Sequence, residues 1–215
     1  MKAVVFDLDG TLTNTLESLA YVGNKTLESL GLEARPMEEY KYFAGDGVDT
    51  LIKRFLMAAG DLECENYKKA YEFFMTEFTG DCTYKVEPYE GIKETLVALK
   101  EKGMKLAVLS NKIHPKTVEV VYKFFGENTF DIIQGQMDGL EKKPHPEGAL
   151  QISKRLGIDV SEIMYVGDTD VDMKTGTSAG MFTVGVLWGF REEDELVENG
   201  ANKIISHPSE LLDLI

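Results

Sequence analysis

Apolar residues in this chain come in short unbroken runs, separated by stretches with a helical repeat. The runs Ala3–Phe6, Leu106–Leu109, Ile132–Ile133 and Ile163–Val166 are apolar at successive positions, and Thr183–Val186 reads as a further short strand. A strand reads that way when both of its faces are covered, as in a parallel sheet between helix layers. Between the runs, Gly91–Lys102 places Ile92, Leu96 and Leu99 on a helical repeat and leads into Gly103, a helix-ending residue. Pro115–Phe125 and Pro146–Leu156 each begin with a proline suited to a first helical turn, and the second stops at Gly157. Strands alternating with helices predict an α/β fold: a Rossmann-like, doubly wound parallel sheet with right-handed crossovers.

The stretch between the first run and Tyr84 breaks this alternation. Leu16, Leu19, Ala20, Val22, Leu27 and Leu30 recur at helical spacing, and further helix-like stretches follow at Thr50–Ala59 and Tyr67–Phe78. No strand pattern occurs there. The expected organisation is an α/β core made of residues 1–14 and 86–215, interrupted by an all-helical domain at 15–85.

Composition narrows the function. Hydrophobic residues make up 43% of the 215, enough for a sizeable core. Asp and Glu number 37 against 23 Lys and Arg, a formal charge of −14. That field repels nucleic acid and anionic membrane surfaces, so neither is expected as a partner. An anionic small substrate would need a metal or local cations. The apolar runs fall far short of the roughly 20 residues of a spanning helix. Met1-Lys2 leads directly into the first strand, so no leader peptide is expected. Cys64 and Cys82 form no CxxC pair, and His114, His145 and His207 lack zinc-site spacing. A disulfide framework and a thiolate or imidazole zinc site are therefore disfavoured, and a reducing cytoplasm is the expected compartment.

The candidate chemistry sits where apolar runs end. Val4-Val5-Phe6 passes directly into Asp7-Leu8-Asp9-Gly10-Thr11. Two carboxylates beyond a strand's C-terminal end lie where open α/β sheets bind ligands. Carboxylates so close repel each other unless a cation or a shared proton intervenes, which makes Mg²⁺ a natural companion. An acid-capped turn is the plainer reading of that segment alone, and an EF-hand loop fits poorly because Val5 would fall at its first ligand position. A second acidic group, Asp168, Asp170 and Asp172, follows the run Ile163–Val166, where helix-dipole capping is the plainer alternative. Acids at two strand ends can meet at one metal. Ser110-Asn111-Lys112 ends a third run with groups able to hold phosphoryl oxygens, and Lys143 offers a cation just before a helix.

Taken in order, Asp7-x-Asp9-Gly10-Thr11, Ser110-Asn111, Lys143-Pro144-x-Pro146 and Gly167-Asp168-x-x-x-Asp172 resemble the four motifs of the haloacid-dehalogenase-like hydrolase superfamily, across Met1–Phe190. The helical insert resembles that family's C1-type cap. Within the family the chain looks most like phosphoglycolate phosphatases, on Ala44-Gly45-Asp46-Gly47, Ser110-Asn111-Lys112, the Lys-Pro-x-Pro pair and Gly189-Phe190.

The resemblance implies the following roles. Asp7 is the nucleophile and becomes an aspartyl-phosphate. Asp9 protonates the leaving oxygen and then deprotonates the attacking water. Mg²⁺ sits on Asp7, the Asp9 carbonyl and Asp168. Ser110, Asn111 and Lys143 hold the phosphoryl oxygens, with Thr11 supporting the pocket or Asp9, while Asp172 orients Lys143 or a metal-bound water. An acid at Asp9 fits ester oxygens, which need a proton to leave, and argues against dehalogenation. The expected partner is a small phosphorylated metabolite, and the expected assembly a monomer or homodimer.

Two departures from the family pattern stand out. The acidic residue common near the start of the cap is replaced within Thr13-Asn14-Thr15. The cap-loop arginine of sugar-phosphate mutases is missing, the first cations after Gly47 being Lys53-Arg54. A sugar-phosphate phosphatase, a pyrophosphatase or a β-phosphoglucomutase-like mutase is the alternative reading. A phospho-acceptor signalling module belongs to a different class, but there the phosphorylated Asp lies on a later strand and a cap has no role.

Overall fold

The computed structural model describes Met1–Ile215, which divide into two compact units: Met1–Asn14 with Glu87–Ile215, and Thr15–Val86. In chain order the elements begin with β1 (Ala3–Phe6), β2 (Thr13–Asn14), α1 (Leu16–Ser29), α2 (Tyr40–Phe43), α3 (Val48–Ala58), α4 (Tyr67–Gly80) and β3 (Glu87–Pro88). They continue with α5 (Ile92–Glu101), β4 (Lys105–Ile113), α6 (His114–Phe125), β5 (Ile132–Gln136), α7 (Glu147–Leu156) and β6 (Ile163–Gly167). The last are α8 (Asp170–Ala179), β7 (Phe182–Val186), α9 (Glu193–Glu198) and β8 (Lys203–Ile205).

The α/β unit holds a six-stranded sheet in the order β5-β4-β1-β6-β7-β8, parallel throughout. The chain winds outward from β1 through β4 and β5, then crosses to β6 and winds out the other way. Strand order therefore reverses between β1 and β6, and the crevice beyond their C-terminal ends is the topological switch point. All four residues of β1 are buried, as its unbroken apolar run requires. One face of the sheet packs Ala3, Val5, Ala107, Leu109, Ile132, Ile163 and Tyr165 against Ala149 and Ile152 of α7 and Ala179 of α8. Ile152 is completely buried in this layer. Ile152→Ala should cost about 2–5 kcal/mol in urea unfolding, the range for emptying such a site. An effect below about 1 kcal/mol would mean that the layer closes around the gap.

Where strands were expected they form, and β4 and β5 run several residues beyond their apolar cores. β4 continues from Leu109 through Ser110, Asn111 and Lys112 because β5 stays alongside it, Ile113 pairing with Gln136 after a register shift. β8 and the short pair β2–β3 lack an apolar run long enough to announce them. β2 and β3 pair antiparallel, Thr13 with Pro88 and Asn14 with Glu87, at the two places where the chain leaves and re-enters this unit.

The helical unit has its own core. Leu27, Tyr40, Ile52, Phe55, Leu56 and Phe74 are buried, and the rings of Tyr40, Phe55, Phe74 and Phe78 form a continuous series with centroids 5.6–6.3 Å apart. The close approach of α1 to Tyr40 depends on Gly23, where a Cβ would collide with that ring. The Tyr40 hydroxyl then donates to Asn24 Oδ1 at 3.0 Å. Phe74 and Phe78 thus serve as core, while Phe73 is half-buried. No helix is long and apolar enough to cross a membrane.

Candidate active site

Every candidate residue from the four motifs lies in the α/β unit, at or just beyond the C-terminal ends of β1, β4, β5 and β6. Asp7 follows β1 directly, and its backbone N–H continues the ladder to Val166 O at 2.9 Å. The chain then turns sharply: Leu12 and Thr13 N–H both donate to Leu8 O at 3.0 Å, and Gly10 N–H donates to Thr13 O at 2.8 Å. Gly10 has φ +95°, and a side chain there would strike the Asp168 carboxylate. Only glycine allows both the turn and the approach.

Asp168 follows β6 and is fully buried. Thr11 Oγ1 donates to its Oδ1 at 2.8 Å, and Phe190 N–H donates to its Oδ2 at 2.9 Å. Gly189, like Gly10, leaves room that a Cβ would take from this carboxylate. Trp188 Nε1 donates to Thr11 O at 2.9 Å, so this tryptophan braces the Asp7–Thr13 turn. Burial and the neighbouring Asp172 raise the Asp168 carboxyl to about 7, against the Phe190 N–H and the Thr11 hydroxyl.

Asp172 sits in the first turn of α8, where the Thr169 N–H and hydroxyl both donate to its Oδ2, at 3.1 and 2.7 Å. That capping box fixes the carboxylate so that Oδ1 accepts from Lys143 Nζ at 2.8 Å. The same ammonium donates to Asp7 Oδ1 at 2.7 Å. Lys143 is held through its backbone as well. Asn111 Nδ2 donates to Lys143 O at 3.0 Å, and Lys143 N–H donates to Asn111 Oδ1 at 2.9 Å. Burial opposes the Lys143 charge, but Asp172 and Asp7 outweigh it and keep the ammonium well above the ordinary lysine value. Burial, then the Asp172 and Asp168 charges, push the Asp7 carboxyl well above its ordinary range, against the pull of Lys143.

The resulting cluster is Asp7, Asp168 and Asp172, with carboxylate oxygens within 4.8 Å of one another and one lysine among them. Three buried carboxylates and one ammonium leave an excess of negative charge that a hard divalent cation with oxygen ligands would offset. The donor set therefore fits Mg²⁺. Asp9, expected from the sequence among the metal ligands, lies outside this cluster by its side chain, which is turned to Lys112. Ser110 is buried, and its Oγ accepts from Lys112 N–H at 3.2 Å.

Residues 4–186 match the family model described as haloacid dehalogenase-like hydrolase. The chain belongs to that family. This hydrolase is 33% identical over 216 residues to the phosphoglycolate phosphatase of Aquifex aeolicus (strain VF5), covering 100% of this chain and 97% of the relative. With the phosphoglycolate phosphatase of Neisseria meningitidis serogroup A it shares 31% over 205 residues, 94% of this chain and 87% of the relative. The crystal structure of a predicted phosphoglycolate phosphatase from Haemophilus somnus 129pt matches with a TM-score of 0.92 at 27% identity, over 100% of this chain and 97% of that one.

Three contacts around the hydrolase's site were not read from the sequence: Lys112 on Asp9, Phe190 N–H on Asp168, and Asn111 on the Lys143 backbone. For Lys112 a signal existed. Strand periodicity puts Ser110 and Lys112 on one side of β4, so continuing the strand past Leu109 would have sent the lysine toward the same site as the serine.

Proposed function

We propose that this hydrolase cleaves a small organic phosphomonoester, with 2-phosphoglycolate the first candidate, through an aspartyl-phosphate on Asp7. The observation that carries the reading is the Asp7 carboxylate, seated at the end of β1 with the Lys143 ammonium at 2.7 Å and a second acid two residues on. Kinship along the whole chain with phosphoglycolate phosphatases supports the substrate class.

Asp7 attacks phosphorus with a carboxylate oxygen as the ester P–O bond breaks, and Asp9 gives its proton to the leaving oxygen. Asp9 then takes a proton from water, whose oxygen attacks phosphorus. The bond to Asp7 breaks, releasing inorganic phosphate. Lys143, the Ser110 hydroxyl and the Asn111 backbone N–H neutralise and orient the equatorial oxygens. The Asn111 side chain and Asp172 keep Lys143 in place. Asp7, Asp168 and the Asp9 carbonyl would hold Mg²⁺, which supplies charge neutralisation between an anionic nucleophile and an anionic ester. The helical unit, acting as a cap, would choose what lies beyond the phosphate.

A mutase needs a cation for a second phosphate. Arg54, the nearest arginine after the cap loop, is engaged within the helical unit, to Asp46 at 2.6 Å and to Phe43 O at 3.2 Å. That weighs for hydrolysis over phosphoryl transfer between sugar positions.

The deciding experiment is phosphate release from 2-phosphoglycolate, pyrophosphate, sugar phosphates and nucleotides, each with Mg²⁺ and with EDTA. The expected result is Mg²⁺-dependent turnover with 2-phosphoglycolate ahead in kcat/KM by about a hundredfold, some 2.7 kcal/mol of differential transition-state binding. Similar slow rates on several esters would withdraw the named substrate. Turnover that survives EDTA would remove the metal from the Asp7–Asp168 site. One phosphate per chain without turnover would point instead to a signalling module.

A further inference from the structure

Lys112 stands close to the end of β4 with a side chain only 4% exposed, and its Nζ donates to both carboxylate oxygens of Asp9, at 2.6 and 2.8 Å. The partners are 103 residues apart and meet only because β1 and β4 are neighbours in the sheet. Burying a lysine is costly unless its partner is well placed, and such pairs are weak sources of stability. Two contacts to one carboxylate do something else: they fix its rotation. Asp9 sits on a turn, with its side chain 21% exposed, and the turn's backbone hydrogen bonds do not set its torsion angles. Proton transfer requires the donor within hydrogen-bond reach of the oxygen it serves.

We propose that Lys112 is a positioning residue that holds the Asp9 carboxylate in line with the leaving oxygen. This rests on the reading of Asp9 as the acid–base group. Lys112 then contributes only where Asp9 does. An alkyl ester such as 2-phosphoglycolate loses an alkoxide and needs a proton. Acetyl phosphate is of similar size but loses acetate, which leaves without one. Because kcat/KM covers the steps up to the first P–O cleavage, it isolates this difference from the later hydrolysis of the Asp7 phosphate.

The test compares kcat/KM for the two substrates in wild type, Lys112→Met, Lys112→Arg, Asp9→Asn and the double variant Asp9→Asn/Lys112→Met. Lys112→Met should lower the value for 2-phosphoglycolate by about 10–100-fold and shift the ratio of the two substrates by at least about tenfold toward acetyl phosphate, the scale of a misplaced catalytic group. Lys112→Arg, which keeps a cation, should recover part of the loss. In the Asp9→Asn background Lys112→Met should add less than about threefold, because the residue it acts through is already gone. Equal losses on both substrates, or full additivity with Asp9→Asn, would overturn the inference while leaving the phosphatase reading intact. A wild type inactive on both esters would overturn both. Should Lys112→Met not fold, judged by its thermal midpoint, Lys112→Gln takes its place, and the same losses and ratios decide.

Discussion

Asp7→Asn should abolish turnover, lowering kcat by roughly 10⁴ or more, about 5.5 kcal/mol of barrier. The substitution changes one atom. An amide oxygen can still accept from Lys143, whose other contact, Asp172 Oδ1 at 2.8 Å, is untouched. What disappears is the anionic oxygen proposed to attack phosphorus. Folding should survive, since one of three mutually repelling buried carboxylates is replaced by a neutral group while its neighbours keep their donors. Steady-state phosphate release and the thermal midpoint, measured together, separate the two effects. Near-wild-type release from Asp7→Asn would end the aspartyl-phosphate mechanism outright. Loss of release together with a collapsed midpoint would instead make Asp7 a structural residue.

The residues that make this prediction possible were readable from sequence because they adjoin buried strands. Val4-Val5-Phe6 reads as a covered strand, and a covered strand has one end at which Asp7 and Asp9 can reach solvent and ligand. The same reasoning places Asp168 after Ile163–Val166. Contacts made through the backbone, or across long sequence separations, were not readable in this way. Phe190 N–H reaches Asp168 only because β7 lies beside β6, and Asn111 brackets the Lys143 backbone because the loop before α7 returns over the end of β4. Neither contact depends on a pattern that hydropathy carries. β8 was missed for a related reason: Lys203–Ile205 is an edge strand of three residues, recognisable only by the partner it pairs with, β7. The helical stretch was legible as helices from its repeat. Its packing was not, since Gly23 yielding to the Tyr40 ring is a fact about two helices rather than one.

Lys143→Ala should produce the second large effect, in activity and stability together. The lysine carries the ammonium placed against Asp7 and Asp172, and its side chain is 4% exposed. Its removal leaves Asp7, Asp168 and Asp172 crowded and buried without that cation. Breaking one partner out of a buried ionic group costs about 3–5 kcal/mol, so the metal-free variant should unfold well below wild type. Losing a donor aimed at transition-state charge should also lower kcat by about 10²–10³. The two effects respond differently to Mg²⁺. A divalent ion among three carboxylates can replace the missing positive charge, so Mg²⁺ should raise the melting temperature of Lys143→Ala more than that of wild type. It should not restore kcat, because an ion held by the carboxylates does not take the position from which Lys143 Nζ is proposed to meet the phosphoryl oxygens. A loss in kcat of less than about tenfold, some 1.4 kcal/mol, would mean that the lysine serves the carboxylates alone. Equal Mg²⁺ stabilisation of variant and wild type would mean that the ion does not offset the charge of the Asp7–Asp168–Asp172 cluster.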